Sequence, residues 1–122
     1  MIALDSSSII AFLSGDDGAD VRAVEAALRF RQGVFPPVVV TELVSAAEDK
    51  IVLLISAVPQ LDISGGYWQR AGRLRSQLLR RGFKARLADT LIAQSCLDHD
   101  VALITRDKDF RHFAAYASLR LH

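Results

Sequence analysis

The feature that most constrains the fold is a continuous apolar run, Val101-Ala102-Leu103-Ile104-Thr105, which directly follows a long helical segment. A run without polar alternation is typical of a strand buried on both faces, as in a parallel sheet. Ile2 to Leu4 forms a second such run, while Ala19–Arg31, Tyr67–Arg81 and Leu87–His99 carry apolar residues at helical spacing. Strands that alternate with helices predict right-handed crossovers and a three-layer α/β/α sandwich.

The remaining segments complete a mostly parallel sheet of about five strands. Further strands are predicted at 34–35, 61–63 and 119–121, and further helices at 9–13, 38–50 and 107–116. Residues 38–40 would equally suit a strand, and residues 51–58 are apolar without a clear period. A chain of 122 residues suits one domain, so we expect a single unit over residues 1–122.

Composition and charge exclude several classes of protein. The single cysteine, Cys96, cannot form an internal disulfide or a cysteine-rich zinc site, which favours a reducing, intracellular compartment. The N-terminal residues lack the pattern of a signal peptide, and no run approaches the ~20 apolar residues that span a bilayer. A net charge of +1 does not by itself indicate a nucleic-acid binder. We therefore expect a cytoplasmic protein without membrane attachment.

Two aspartates end the two most clearly predicted strands. Asp5 follows Leu4 directly, and Asp107 lies two residues after Thr105. The carboxyl ends of parallel strands share one edge of a sheet, where ligands bind in α/β folds. We therefore expect both carboxylates at this edge.

Two further acids are predicted to point into the fold from helices. Asp89 shares a helix face with Ile92, Ala93 and Cys96, which should be buried. Glu42 has apolar residues one turn before and one turn after it. Both carboxylates should therefore need a partner inside the protein.

Buried carboxylates repel each other and resist ionisation unless a cation neutralises them. Hard oxygen ligands without His or Cys select Mg²⁺ or Mn²⁺, and such sites activate water and stabilise charge on a phosphoryl group. This pattern favours phosphodiester hydrolysis. Taken singly, each acid could instead be solvated or structural, and Asp89 could simply complement its helix dipole. The combination of Asp5, Glu42, Asp89 and Asp107 is what indicates a metal site.

Four motifs resemble the PIN-domain family across essentially the whole chain. They are Leu4-Asp5-Ser6-Ser7, Thr41-Glu42-Leu43, Leu87-Ala88-Asp89-Thr90-Leu91-Ile92-Ala93 and Leu103-Ile104-Thr105-Arg106-Asp107-Lys108-Asp109-Phe110. The last two are the more specific motifs. Their order is most similar to VapC, the toxin branch of toxin–antitoxin pairs.

The resemblance implies a metal-dependent endoribonuclease with an α/β/α fold. It implies that Asp5, Glu42, Asp89 and Asp107 surround one or two Mg²⁺ or Mn²⁺ ions, as ligands or as groups that orient water. It also implies an RNA substrate, a homodimer and a cognate antitoxin protein, a segment of which blocks the site.

Three more residues enter through the resemblance. Asp109 is a possible substitute ligand, since some relatives use the acid just before the phenylalanine. Ser6 and Thr105 match positions where the family often has a hydroxyl near the metal. For both hydroxyls, a role in a turn or a helix cap is an equal alternative.

A basic segment without acids lies between Tyr67 and Ala88. It contains Arg70, Arg73, Arg75, Arg80, Arg81, Lys84 and Arg86. The segment could guide an RNA backbone to the acids, although most of these side chains could simply form a solvated helix face. Lys84 and Arg86, which lie near Asp89 in the sequence, are the candidates for RNA binding.

Two other functions stay open. A PIN nuclease of RNA maturation or decay would carry the same acids and have no antitoxin. A non-catalytic metal-binding module, such as a receiver-like domain, would also place an acid at the end of a strand. The second alternative lacks the acidic pair expected before the first acid, Asp5.

Overall fold

The structure is a computed structural model that describes residues 1–46 and 48–122. Its strands are β1 (Ile2–Leu4), β2 (Gly33–Val34) and β3 (Ala102–Ile104). Its helices are α1 (Ser6–Leu13), α2 (Ala19–Arg29), α3 (Pro37–Ser45), α4 (Asp49–Ala57), α5 (Tyr67–Arg80), α6 (Leu87–His99) and α7 (Arg111–Ala117). A 3-10 helix, Lys108–Phe110, leads directly into α7.

The strands form a parallel sheet in which β1 lies between β2 and β3. Ile2 pairs with both Gly33 and Ala102, and Leu4 pairs with Ile104. This register aligns the carboxyl ends of β1 and β3, so the residues that follow the two strands emerge side by side.

Helices cover both faces of the sheet, which confirms the predicted α/β class. Helix α5 packs against α6, and α1 packs against α2 and α3. The core between helices and sheet is rich in aromatic and branched side chains and includes Leu4, Ile9, Phe35, Leu43, Ile92, Leu103, Ile104, Phe110 and Phe113. Within the described residues, none of the helices is both long enough and apolar enough to cross a bilayer.

The prediction of five strands was wrong, because the described residues form three strands and two single bridges. Residues 61–63 are not a strand; Phe35 instead pairs in parallel with Gln60. Proline lacks an N–H donor, so Pro36 after Phe35 and Pro59 before Gln60 prevent this pairing from extending.

The predicted strand at 119–121 is also a single bridge, between Leu103 and Leu121. The N–H of Leu119 donates to the carbonyl of Phe113 at 3.3 Å, at the end of α7. That donor is therefore lost to the sheet.

The predicted helix at 38–50 is wrong in its bounds. Helix α3 begins at Pro37, whose fixed φ suits a first helical turn, and it ends at Ser45; Ala47 lies outside the described residues. Lys50 belongs to α4, which also occupies most of residues 51–58. This segment shows no clear apolar period because Ile51 is buried while Val52 and Leu53 are exposed, so apolar residues cover more than one face of α4.

Candidate metal centre

The side chain of Asp5 is held at the end of β1 by two hydroxyl groups. It is only 3% exposed. Its Oδ2 atom accepts hydrogen bonds from Ser7 Oγ at 2.5 Å and from Thr105 Oγ1 at 2.7 Å. Burial raises the pKa of Asp5, the two hydroxyls oppose that shift, and the nearby charge of Asp107 adds to it. The carboxylate therefore has a fixed orientation at the edge of the sheet.

Thr105 links Asp5 to Asp107. While its hydroxyl donates to Asp5, the same oxygen accepts from the backbone N–H of Asp107 at 3.0 Å. Asp107 in turn caps the 3-10 helix, because its Oδ1 accepts from the N–H of Asp109 at 2.9 Å. The ends of β1 and β3 are thus joined through one threonine side chain.

Glu42 reaches the same edge from α3. Its Oε1 accepts a hydrogen bond from Ser6 Oγ at 3.0 Å, which ties the helix to the residue after Asp5. Burial raises the pKa of Glu42, the Ser6 hydroxyl lowers it, and the charges of Asp5 and Asp107 raise it further. Glu42 therefore lies within the electric field of both aspartates.

Asp89, Asp107 and Asp109 form a compact group, in which one carboxylate oxygen of each acid lies within 4.8 Å of one oxygen of each of the other two. Burial raises the pKa of Asp89 to about 6, and the charges of Asp107, Asp5, Asp109 and Glu42 contribute in that order. All the acids singled out from the sequence thus occupy one electrostatic neighbourhood at the carboxyl ends of β1 and β3.

The compact group includes Asp109, which the sequence analysis treats only as a possible substitute ligand. Asp5 and Glu42 lie beside that group. Asp5 accepts hydrogen bonds from the hydroxyls of Ser7 and Thr105, and Glu42 accepts one from the hydroxyl of Ser6.

Sequence reasoning missed Ser7. Its hydroxyl donates to Asp5, lies 3.3 Å from Thr105 Oγ1 and accepts from the N–H of Arg106 at 3.3 Å. A serine two residues after an aspartate commonly forms such local hydrogen bonds, and this was the available signal.

The predicted RNA-binding residues lie at the entrance to α6. Lys84 Nζ is 3.1 Å from Asp109 Oδ2, and Arg86 is exposed at the N-terminal end of the helix. Two other arginines of the basic segment are committed elsewhere: Arg70 pairs with Asp98 at 2.6 Å, and Arg75 Nε donates to the carbonyl of Ala85 at 2.8 Å. Arg70 thus holds α5 against α6, and Arg75 holds α5 against the loop that precedes α6.

The donor set fits a hard divalent cation. Clustered carboxylates offer the oxygen ligands that Mg²⁺ and Mn²⁺ prefer, and a cation would offset the burial and the repulsion that together raise the pKa of Asp89. The fold and the site define a class of protein, an α/β protein with an acidic site at the carboxyl ends of its parallel strands. Residues 2–116 match the family described as PIN domain, and the chain belongs to that family.

Solved structures support the same fold. The chain is similar to VapBC2 from Rickettsia felis bound to a DNA fragment from their promoter, with 21% identity, a TM-score of 0.75, and coverage of 100% of this chain and 98% of the other. VapBC-1 from nontypeable Haemophilus influenzae gives 22% identity, a TM-score of 0.75, and coverage of 100% and 97%. FitAcB from Neisseria gonorrhoeae has 19% identity and a TM-score of 0.71, with coverage of 99% of this chain and 96% of the other. No curated protein matches the chain in sequence.

Proposed function

We propose that this protein is a metal-dependent endoribonuclease that hydrolyses RNA phosphodiester bonds, and that it is the toxin of a toxin–antitoxin pair. The observation that carries the proposal is the compact group of Asp89, Asp107 and Asp109, with Asp5 and Glu42 beside it. Packing these carboxylates together is unfavourable in the isolated chain because their negative charges repel one another. A bound cation would supply the compensating charge, which supports a cation site here.

In this proposal Asp89, Asp107 and Asp109 hold Mg²⁺ or Mn²⁺, and Asp5 and Glu42 bind the ion or orient water next to it. When bound, the ion would lower the pKa of a water molecule and stabilise negative charge on the phosphoryl group. Hard oxygen ligands favour these two ions over zinc or copper.

The other residues of the site orient the acids. Ser7 and Thr105 fix one oxygen of Asp5, Ser6 fixes one oxygen of Glu42, and the N–H of Asp109 fixes one oxygen of Asp107. Partners of this kind reduce the motion of the acids relative to the scissile bond. We propose that Arg86, which is exposed at the N-terminal end of α6, contacts the RNA backbone.

A partner protein is supported by an apolar surface on α4. Val52 and Leu53 are 67% and 76% exposed, and Val44 at the end of α3 is exposed as well. A groove beside α4 is lined by Leu28, Leu54 and Val58, among others. Exposed apolar surface of this kind marks contact sites. Because one similar solved structure is described as a toxin–antitoxin complex from Klebsiella pneumoniae, we propose an antitoxin segment as the occupant of this surface. A homodimer is proposed from the resemblance to VapC.

The proposal can be tested by incubating the full chain with end-labelled RNAs and Mg²⁺ or Mn²⁺. We expect cleavage that EDTA abolishes and that Asp89→Asn and Asp5→Asn each reduce by at least ~100-fold. Products with 5′ phosphates are expected, since water rather than the 2′ hydroxyl attacks. Asp62→Asn, which changes an exposed acid, is the matched control.

Two outcomes would contradict the proposal. Cleavage that persists in EDTA would rule out metal dependence, and 2′,3′-cyclic phosphate ends would rule out attack by water. Binding of Mn²⁺ without cleavage of messenger, transfer or ribosomal RNA would favour a non-catalytic metal-binding module.

A further inference from the structure

Lys84 makes direct contact with the compact acid group. It lies in the loop between α5 and α6, and its Nζ atom is 3.1 Å from Oδ2 of Asp109. Over residues 1–46 and 48–122, it is the one lysine or arginine that forms an ion pair with an acid of the site. Its ammonium is therefore the local counter-ion of the Asp109 carboxylate.

The loop around Lys84 is anchored on both sides. Phe83 stacks on Tyr116 with ring centroids 4.4 Å apart, and it also packs against His112. Ala85 is buried, and its carbonyl accepts from Arg75 Nε at 2.8 Å. The backbone therefore holds Lys84 at the site, while about half of its long side chain is exposed to solvent.

The ion pair is of a kind that a stronger cation displaces. A half-exposed lysine pair is weak, because water solvates the ammonium well. A divalent ion held by the compact acid group would use the Asp109 carboxylate that Lys84 contacts, and Mg²⁺ binds such oxygens at about 2.0–2.1 Å. Lys84 and the ion therefore compete for Asp109.

We propose that Lys84 is a displaceable internal counter-ion, which neutralises Asp109 in the metal-free protein and must release it when a divalent cation binds. The inference rests on the proposed function, since it concerns the same acids. It assigns Lys84 a role that opposes metal binding, whereas a lysine that only contacts RNA would leave metal affinity unchanged.

The test is a calorimetric titration of Mn²⁺ into the full chain at neutral pH without RNA. We expect Lys84→Met to bind Mn²⁺ about threefold to fivefold more tightly than the wild type, as expected when a weak competing pair is removed. Lys84→Arg, which keeps the charge, should remain within about twofold of the wild type.

Two matched lysine variants separate direct competition from general charge effects. Lys50→Met, on the surface of α4, measures the change in net charge alone. Lys108→Met removes a charge between Asp107 and Asp109 in the sequence, from a residue that pairs with neither within the described ranges. Lys84→Met must exceed both in its effect, and a thermal melt must show it folded.

The outcomes distinguish this inference from the proposed function. Unchanged or weaker Mn²⁺ binding by a folded Lys84→Met protein overturns the inference and leaves the metal site intact. An effect no larger than that of Lys108→Met also overturns it. Absence of Mn²⁺ binding in the wild type and in Lys84→Met overturns the proposed metal site itself.

Discussion

Arg106 donates two hydrogen bonds to the carboxylate of Asp20, from Nε to Oδ2 at 2.8 Å and from Nη2 to Oδ1 at 3.1 Å. The same carboxylate accepts from Ser8 Oγ at 2.8 Å. Arg106 directly precedes Asp107, so the pair fastens the loop after β3 to α2. Gly18 is required here, since a Cβ at this position would lie 2.5 Å from Asp20 Oδ1.

This pair predicts a loss of stability in acid. The hydrogen bond from Arg106 lowers the pKa of Asp20 to about 2, below the unfolded value of ~3.9. A carboxyl with a depressed native pKa stabilises the fold above the unfolded pKa, and that stability is lost as pH falls from ~4 to ~2. Asp20→Asn should lower the Tm at neutral pH by a few degrees and lower it less at the acid end of this range.

Thermal melts of both proteins across this pH range would check the prediction. Asp17→Asn, which changes an exposed neighbouring acid, is the control. A difference in Tm between wild type and Asp20→Asn that stays constant with pH would show that the carboxylate charge contributes nothing.

For Asp89 we expect the opposite dependence of stability on pH. Burial raises its pKa to about 6, so it favours folding below the unfolded pKa of ~3.9, and that contribution is lost as pH rises through ~6. In EDTA at mildly alkaline pH, Asp89→Asn should therefore be more stable than wild type by roughly 1–2 kcal/mol. Urea denaturation measures this difference.

Addition of Mn²⁺ should reverse that order, because the ion stabilises only a chain that binds it. Wild type should then gain stability with Mn²⁺ concentration, while Asp89→Asn should gain little. A variant less stable than wild type in EDTA would show that Asp89 serves the fold rather than a ligand.

The hydroxyl of Thr105 is predicted to control activity more than stability. Thr105→Val removes both the bond to Asp5 and the bond from the N–H of Asp107, while it keeps the shape of the side chain. Loss of partners that orient metal-binding residues typically reduces activity or metal affinity by about 10–100-fold. We expect a fall of that size in RNA cleavage.

Thr105→Ser retains the hydroxyl and should restore most of the activity. Cleavage rates and Mn²⁺ affinities of the three proteins would check this expectation. Equal activity in Thr105→Val and wild type would show that the orientation of Asp5 and Asp107 does not depend on the threonine.

The apolar surface of α4 predicts a variant that binds its partner poorly but folds normally. Because Leu53 is 76% exposed, Leu53→Ser should change stability by less than ~0.5 kcal/mol. If an antitoxin covers this surface, the Leu53→Ser variant should bind the antitoxin more weakly than the wild type does. Leu79→Ser on α5 is the matched control, as Leu79 is also exposed.

Co-purification with the product of an adjacent antitoxin gene, together with thermal melts, would measure both effects. Full capture by Leu53→Ser would place the partner elsewhere on the protein. A large drop in Tm would show that Leu53 packs within the fold.

The sequence by itself determined the order of most elements and the position of the acids along them. The buried runs at β1 and β3 are apolar on both faces, so each could be recognised locally, and Asp5 and Asp107 followed as residues at strand ends. The helical spacing around Asp89 likewise predicted that this carboxylate faces inward, and it is buried.

Only the tertiary structure decided which groups meet. The contacts of Thr105 with Asp5, Ser6 with Glu42 and Lys84 with Asp109 join residues that are distant in the chain. Their distances depend on how helices and strands pack, and side-chain directions at such contacts carry no local pattern. The strands predicted at 61–63 and 119–121 are absent for the same reason, and only single bridges form, at Gln60 and Leu121. The number of hydrogen bonds in a ladder depends on the donors of the neighbouring chain segment.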